Sequence, residues 1–220
     1  MGGTGAIANG IIVAVLTVIS VMDEIPWDLI IQTKRLIIRP QKYSDYKAWY
    51  IAFSERLPQQ YTYDEGQIAL DGYDADEFTN ICKSHQEQAS NDYAYIWGIF
   101  HKQTNRHIGN IDLSTIQREE KQWANLGYTI HNQYWRQGFG KEAVRAVIIA
   151  GFEQLGYHRI EAAINLDNHP SIALVQTVGL QKECVRRGFY YENEQWVDHI
   201  IYVALPTDLG ISEKPPAITT

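Results

Sequence analysis

The spacing of apolar residues predicts a chain of alternating strands and helices. Extended apolar runs cover residues 32–40, 93–101, 106–117, 121–131, 159–165, 181–189 and 195–205. Apolar positions three and four apart predict helices around residues 46–53, 78–85, 144–155 and 172–178. Short polar turns separate the three runs between residues 93 and 131, which indicates an antiparallel meander. The pattern therefore predicts a domain that mixes strands and helices.

One glycine-rich turn lies between the run that ends near residue 130 and the helix that follows. It reads Tyr134-Trp135-Arg136-Gln137-Gly138-Phe139-Gly140-Lys141. The first amides of a helix lack intrahelical acceptors and lie at the positive end of its dipole, so they attract anions. Glycine lets a phosphate approach the backbone closely. The turn therefore predicts a pyrophosphate cradle, although a flexible turn that opens a helix would also explain two glycines alone.

Two better-known phosphate loops match this turn poorly. A Walker A loop would need Ser or Thr where Glu142 stands, and a dinucleotide fingerprint would need a third glycine. The kind of phosphate ligand must therefore be inferred from the sequence on either side of the turn.

Composition narrows the class of protein. With 220 residues and 45% hydrophobic content, the chain can bury one core, and its net charge of −7 argues against nonspecific nucleic-acid binding. That charge favours a cationic or amine partner. Cys82 and Cys184 have no metal-ligand spacing, and we expect no metal. A disulfide between them is not required, so a reducing cytoplasm is the default location.

Four motifs, in this order, resemble the GNAT N-acetyltransferase superfamily and, within it, the Rim-type N-terminal acetyltransferases of ribosomal proteins. They are Thr33-Lys34-Arg35-Leu36, Leu126-Gly127-Tyr128, Gly138-x-Gly140 and Asn168-x-x-Ser171. Trp135 departs from the superfamily's usual Arg or Gln, and Val175 stands where many members carry a tyrosine acid. The resemblance covers residues 31–205. It implies an α+β, three-layer GNAT fold, whose mixed, mostly antiparallel sheet has six to seven strands, about four flanking helices, and a splay between strands four and five.

The resemblance also implies a reaction, the direct transfer of acetyl from acetyl-CoA to a primary amine in a ternary complex. The acceptor would be a protein N-terminus or a small amine. The implied acetyl-CoA contacts are Tyr128, Thr129, Ile130, Arg136, Gln137, Gly138, Phe139, Gly140, Lys141, Asn168 and Ser171. Helix capping alone would also explain Asn168 and Ser171.

The catalytic assignments leave alternatives open. Ser171 is the candidate acid for the leaving thiolate, and Glu192 is the candidate base. Asp112, Glu119 or a water chain could take the place of Glu192. Three loop tyrosines, Tyr61, Tyr63 and Tyr73, would line the acceptor cleft or simply pack.

The two ends of the chain differ from the domain. Residues 1–30 form an apolar extension without charge from Gly5 to Met22. We favour either an element packed on the domain or across a homodimer, or sequence upstream of a start at Met22, over a membrane anchor. Residues 206–220 are expected to be a loose tail. The competing hypotheses are a noncatalytic acyl-CoA sensor and a membrane-anchored protein.

Overall fold

The computed structural model describes residues 27–215, where the chain folds into one open sheet and its flanking helices. The strands are β1 (Ile31–Gln32), β2 (Leu36–Arg39), β3 (Ala94–His101), β4 (His107–Gln117), β5 (Trp123–Ile130), β6 (Arg159–Asn165), β7 (Gln181–Glu192) and β8 (Gln195–Ala204). The helices are α1 (Tyr46–Ser54), α2 (Ala75–Ser90), α3 (Phe139–Glu153) and α4 (His169–Val178). The α+β architecture predicted from the sequence is confirmed.

The described sheet has eight strands instead of the predicted six to seven. The run 32–40 is broken, because Thr33 turns the chain and accepts the Leu36 amide on its hydroxyl at 2.9 Å. The two resulting short strands pair antiparallel, with Ile31 opposite Ile38. Helix α4 also begins before the predicted residue 172, since Asn168 caps it and a proline occupies its first turn.

The strand order creates a gap in the sheet. It runs β1-β2-β3-β4-β5-β6-β8-β7, with β5 and β6 the parallel pair. Strand β5 pairs with β4 from Trp123 to Ile130, but with β6 only from Trp123 to Asn125. The two strands therefore diverge towards their C-terminal ends. This is the predicted splay between strands four and five of the family, since β1 and β2 derive from one predicted strand.

The main core lies between the sheet and α3. Val144, Val147 and Ile148 of α3 are fully buried, as the three- and four-residue spacing predicted. A smaller cluster of Trp49, Phe78 and Cys82 joins α1 to α2. The main cluster also includes Val175 and Val178 of α4, so it packs both α3 and α4 on the sheet.

The ends of the chain were predicted as an extension and a tail. Residues 1–26, which include the uncharged segment and Met22, lie outside the described residues, as do residues 216–220. Beyond the predicted boundary at residue 205, the chain forms a 3-10 helix, Pro206–Leu209, and Leu209 and Ile211 pack on the main core. No helix between residues 27 and 215 is long and apolar enough to cross a membrane.

Candidate active site

The open edge of β5 is the first part of the site. Backbone groups of successive strand residues point alternately to the two neighbouring strands. The Thr129 carbonyl faces β4, where it leaves no room for a Cβ on Gly109. The backbone groups of Tyr128 and Ile130 therefore face the gap. Thr129, which was predicted to contact the cofactor, has an exposed side chain, but its main chain faces β4 instead of the gap.

The gap at the end of β5 is partly filled by Trp135. Its indole Nε1 donates a hydrogen bond of 2.6 Å to the Ile130 carbonyl. This contact satisfies a backbone acceptor that no described strand reaches, and it ties the glycine-rich turn to β5. Of the two residues whose backbone faces the gap, Ile130 is therefore bonded to Trp135 through its carbonyl. The backbone groups of Tyr128 face the gap without a bond to Trp135.

Helix α3 starts at the glycine-rich turn and points its N-terminus at the gap. Gly138 is its N-cap, with φ of 79°, a left-handed conformation that favours glycine. Arg136 has φ of 59°, also left-handed. The exposed residues of this turn are Arg136, Gln137, Gly138 and Lys141. Their amides and side chains can therefore receive an anion.

The other two predicted cradle residues face the protein. Phe139 is buried, so only its backbone is available to a ligand. A Cβ on Gly140 would lie 2.7 Å from Leu174 Cδ1 of α4. Gly140 therefore permits the close approach of α3 and α4, whereas Gly138 supplies the backbone conformation.

An ion pair that was not predicted from the sequence lies beside the cradle. Glu142, in the first turn of α3, accepts hydrogen bonds from the Thr33 hydroxyl at 2.6 Å and from the Arg35 amide at 2.8 Å. The Arg35 guanidinium adds an ion pair of 2.6 Å. Burial alone would raise the pKa of Glu142, but these donors outweigh it, so the pKa lies below its ordinary value. The sequence showed an acidic residue in the first turn of the helix and a basic residue in the Thr33-Lys34-Arg35-Leu36 motif, but no signal that paired them.

Ser171 lies across the gap from β5. Its hydroxyl is 2.6 Å from the Tyr128 hydroxyl, which reaches over from β5 to the first turn of α4. Asn168 caps α4 by accepting the Ser171 amide at 3.3 Å. Burial raises the pKa of Tyr128 to about 12, so its hydroxyl stays protonated at neutral pH. Val175 is buried in the core, which leaves the usual tyrosine position of α4 without an acid.

Glu192 lies at the end of β7, close to the open end of β6. Its carboxylate accepts a hydrogen bond of 2.8 Å from Asn165 Nδ2, and its other oxygen lies 3.3 Å from Nε2 of the buried His199. These two partners fix its position, and neither was anticipated from the sequence. Glu192 remains partly exposed, as a base that exchanges protons with solvent requires.

The alternative carboxylates lie elsewhere. Asp112 is in the middle of β4, bonded to Ser114, and burial raises its pKa. Glu119 is in the turn between β4 and β5, at the closed end of the gap. Of the three candidates, Glu192 is the one at the end where β5 and β6 diverge.

Aromatic side chains border this end of the gap. The Tyr61 ring lies 5.5 Å from the Trp135 ring, and the Tyr63 hydroxyl donates a hydrogen bond to Asp167, next to the start of α4. Burial and the Asp167 carboxylate raise the pKa of Tyr63 to about 12. Tyr73 instead packs on Trp49, 5.9 Å away, in the cluster between α1 and α2. Two of the three predicted cleft tyrosines therefore reach the site.

A splayed sheet, an open β5 edge and a glycine-capped helix start are the features of an acetyltransferase of the GNAT class. The family described as acetyltransferase (GNAT) domain matches residues 35–181, well over half of the chain. The chain belongs to this family and is an N-acetyltransferase. Members of the family use acetyl-CoA as the acetyl donor.

Relatives and solved structures agree with this assignment. The chain is 29% identical to the uncharacterized N-acetyltransferase YoaA of Bacillus subtilis, over 79% of the chain and 94% of that protein. It is 26% identical to the [ribosomal protein uS5]-alanine N-acetyltransferase of Escherichia coli, over 77% of the chain and 87% of that protein. The fold is similar to that of Mycobacterium smegmatis RimJ in complex with CoA-disulfide, with a TM-score of 0.67 and 18% identity, over 80% of this chain and 85% of that one.

Proposed function

We propose that the protein transfers acetyl from acetyl-CoA to the α-amine of a protein N-terminus, with both substrates bound at once. The observation that carries the proposal is the open edge of β5, which leads from the glycine-capped start of α3 to the Ser171 and Glu192 side chains. The pyrophosphate would bind the exposed turn from Arg136 to Lys141. The pantetheine arm would pair with the backbone of Tyr128.

The acetyl group would then lie where β5 and β6 diverge. The amine nitrogen attacks the thioester carbon, the C–S bond breaks, and the sulfur leaves as a thiolate that takes a proton. Ser171, hydrogen-bonded to the protonated Tyr128, lies on the α4 side of the gap and can donate to that sulfur. Glu192 would accept the proton that the amine loses, and its bonds to Asn165 and His199 hold it in place. The neutral amine thus passes one proton to Glu192 while the thiolate takes one from Ser171, and an acceptor that arrives as an ammonium releases one further proton to solvent before it attacks.

The choice of acceptor rests on two features. Relatives include the [ribosomal protein uS5]-alanine N-acetyltransferase of Escherichia coli. The mouth of the site carries carboxylates, Asp167 and Glu192, beside the rings of Tyr61 and Tyr63. Carboxylates and aromatic faces both attract an ammonium group. A small polyamine is the acceptor that the same features would suit next best.

The test is calorimetric titration with acetyl-CoA, followed by thiol release against peptides that begin with Ala, Ser or Met and against spermidine. Mass spectrometry then locates the acetyl group on the α-amine or on a lysine. We expect binding and turnover with at least one peptide. Absence of acetyl-CoA binding would overturn the proposed function. Turnover with spermidine but with none of the peptides would show that the acceptor is a polyamine and not a protein N-terminus.

The catalytic assignments have matched controls. Ser171→Ala and Glu192→Gln should each lower kcat about 100-fold while KM for acetyl-CoA changes little, because acid–base groups typically contribute 10²–10⁴-fold. Thr177→Ala lies on the same helix as Ser171, and Glu194→Gln lies in the hairpin turn after Glu192; both side chains are exposed. Both control variants should keep wild-type kcat. A full kcat in Ser171→Ala or Glu192→Gln would remove that residue from the mechanism.

A further inference from the structure

Glu142 is a carboxylate beside the helix start that would receive a diphosphate. It lies in the first turn of α3, four residues after the Gly138 N-cap. A negative charge there stabilises the helix, but it repels a second anion at the same place. Its side chain is only 17% exposed, so water screens the charge poorly. The cradle would therefore be a poor diphosphate site unless the charge of Glu142 were balanced.

The turn between β1 and β2 supplies that balance from more than a hundred residues upstream. Three donors converge on the carboxylate: Thr33 Oγ1 and the Arg35 amide on one oxygen, and Arg35 Nε on the other. The turn itself is fixed, because Lys102 donates to the Thr33 carbonyl at 2.7 Å and its amide donates to the Arg35 carbonyl at 2.8 Å. Arg35 is thus presented to Glu142 by a rigid scaffold.

Arg35 also reaches the loop before the helix. Its Nη1 donates a hydrogen bond of 2.9 Å to the Gln137 carbonyl, and its guanidinium lies 4.4 Å from the centre of the Phe139 ring. Its Nη2 is 3.4 Å from the position of a Cβ on Gly138. A single side chain therefore contacts the glycine-rich turn on both sides of the N-cap and neutralises the nearest acid.

We propose that Arg35 is a positioning residue for acetyl-CoA, which makes the start of α3 receptive to the pyrophosphate by neutralising Glu142 and fixing the Gln137–Phe139 loop. The inference rests on the proposed function. It predicts that Glu142 is harmless while Arg35 is present and becomes inhibitory to cofactor binding when Arg35 is lost. If the ion pair had only a structural role, loss of Arg35 and loss of Glu142 would weaken acetyl-CoA binding to a similar extent. Removal of Glu142 would then not restore binding in a protein that lacks Arg35.

The experiment compares four proteins, wild type, Arg35→Gln, Glu142→Gln and the double variant, by calorimetric titration with acetyl-CoA. We expect Arg35→Gln to weaken binding at least tenfold and Glu142→Gln to change it less than threefold. In the double variant, removal of the Glu142 charge should recover at least threefold of the loss. Lys34→Gln, which removes an exposed cation from the same turn, should change the affinity less than threefold.

A second acetyl donor distinguishes a loss of pyrophosphate binding from a general disruption of the site. S-acetylpantetheine carries the thioester and the pantetheine arm but no pyrophosphate. With it, kcat/KM of Arg35→Gln should stay within about twofold of wild type, while kcat/KM with acetyl-CoA falls at least tenfold. Equal losses with both donors would indicate a structural role and overturn the inference. If Arg35→Gln does not fold, Arg35→Lys, which keeps the charge but not the paired donors, should show the same selective loss on a smaller scale.

The outcomes distinguish the two proposals. If wild type does not bind acetyl-CoA, the proposed function fails and this inference fails with it. If wild type binds and turns over, but Arg35→Gln binds equally well or the double variant binds no better than Arg35→Gln, only the role of Arg35 is refuted.

Discussion

Replacement of Gly138 by valine tests whether the cradle depends on backbone conformation. The φ of Gly138 is 79°. A residue with a Cβ costs about 1–2 kcal/mol in the left-handed region, and a β-branched side chain is stiffer still. There is room for the Cβ itself, since its nearest neighbour, Arg35 Nη2, would be 3.4 Å away. The penalty is therefore conformational and does not arise from a clash.

Strain at residue 138 is relieved when the chain leaves the left-handed region, which displaces the first amides of α3. We expect Gly138→Val to lower the free energy of unfolding by about 1–2 kcal/mol. The affinity for acetyl-CoA should fall at least tenfold, which corresponds to about 1.4 kcal/mol. Urea denaturation measures the first quantity, and calorimetric titration measures the second.

Gly156 offers a matched control. It has φ of 70°, and no atom lies within 4 Å of its Cβ position, at the opposite end of α3. Gly156→Val should therefore lose similar stability but keep wild-type affinity. Gly138→Asn should recover part of the affinity, because asparagine tolerates this conformation better than valine. Wild-type binding of acetyl-CoA by Gly138→Val would refute the reasoning.

Three other expectations follow from single contacts. Tyr128→Phe removes the hydroxyl that is bonded to Ser171 and should lower kcat about tenfold, a smaller loss than that expected for Ser171→Ala. The affinity for acetyl-CoA should not change, and an unchanged kcat would contradict the prediction. Burial lowers the pKa of His107 from 6.5 to about 4. The unfolded chain thus binds this proton first, and His107 alone should contribute a fall of about 2 kcal/mol in stability from pH ~7.5 to pH ~5. The neighbouring His131, whose pKa burial also lowers, adds to this fall. Urea denaturation at the two pH values should therefore show a drop that His107→Gln makes smaller. Trp135→Phe should cost about 1 kcal/mol of unfolding free energy, because the Ile130 carbonyl loses its donor; equal urea midpoints would exclude this.

The sequence alone predicted the elements whose signal is local. The run 159–165 coincides with β6, and the apolar stripe after Gly140 became the buried face of α3. The glycine-capped start of α3 was also predictable, because a glycine at a helix start is recognised from neighbouring residues. Such features depend on backbone preferences and on the periodicity of one segment.

Only the tertiary structure decided which distant residues meet. The pairing of Arg35 with Glu142 joins residues 107 positions apart, and that of Asn165 with Glu192 joins residues 27 apart. The sequence also left open that Tyr63 would reach Asp167 while Tyr73 packs on Trp49. These contacts depend on how strands pair and where a long loop crosses the sheet, and no local periodicity encodes either. The residue types pointed to the chemistry, and the sheet's divergence between β5 and β6 determined which of them share one site.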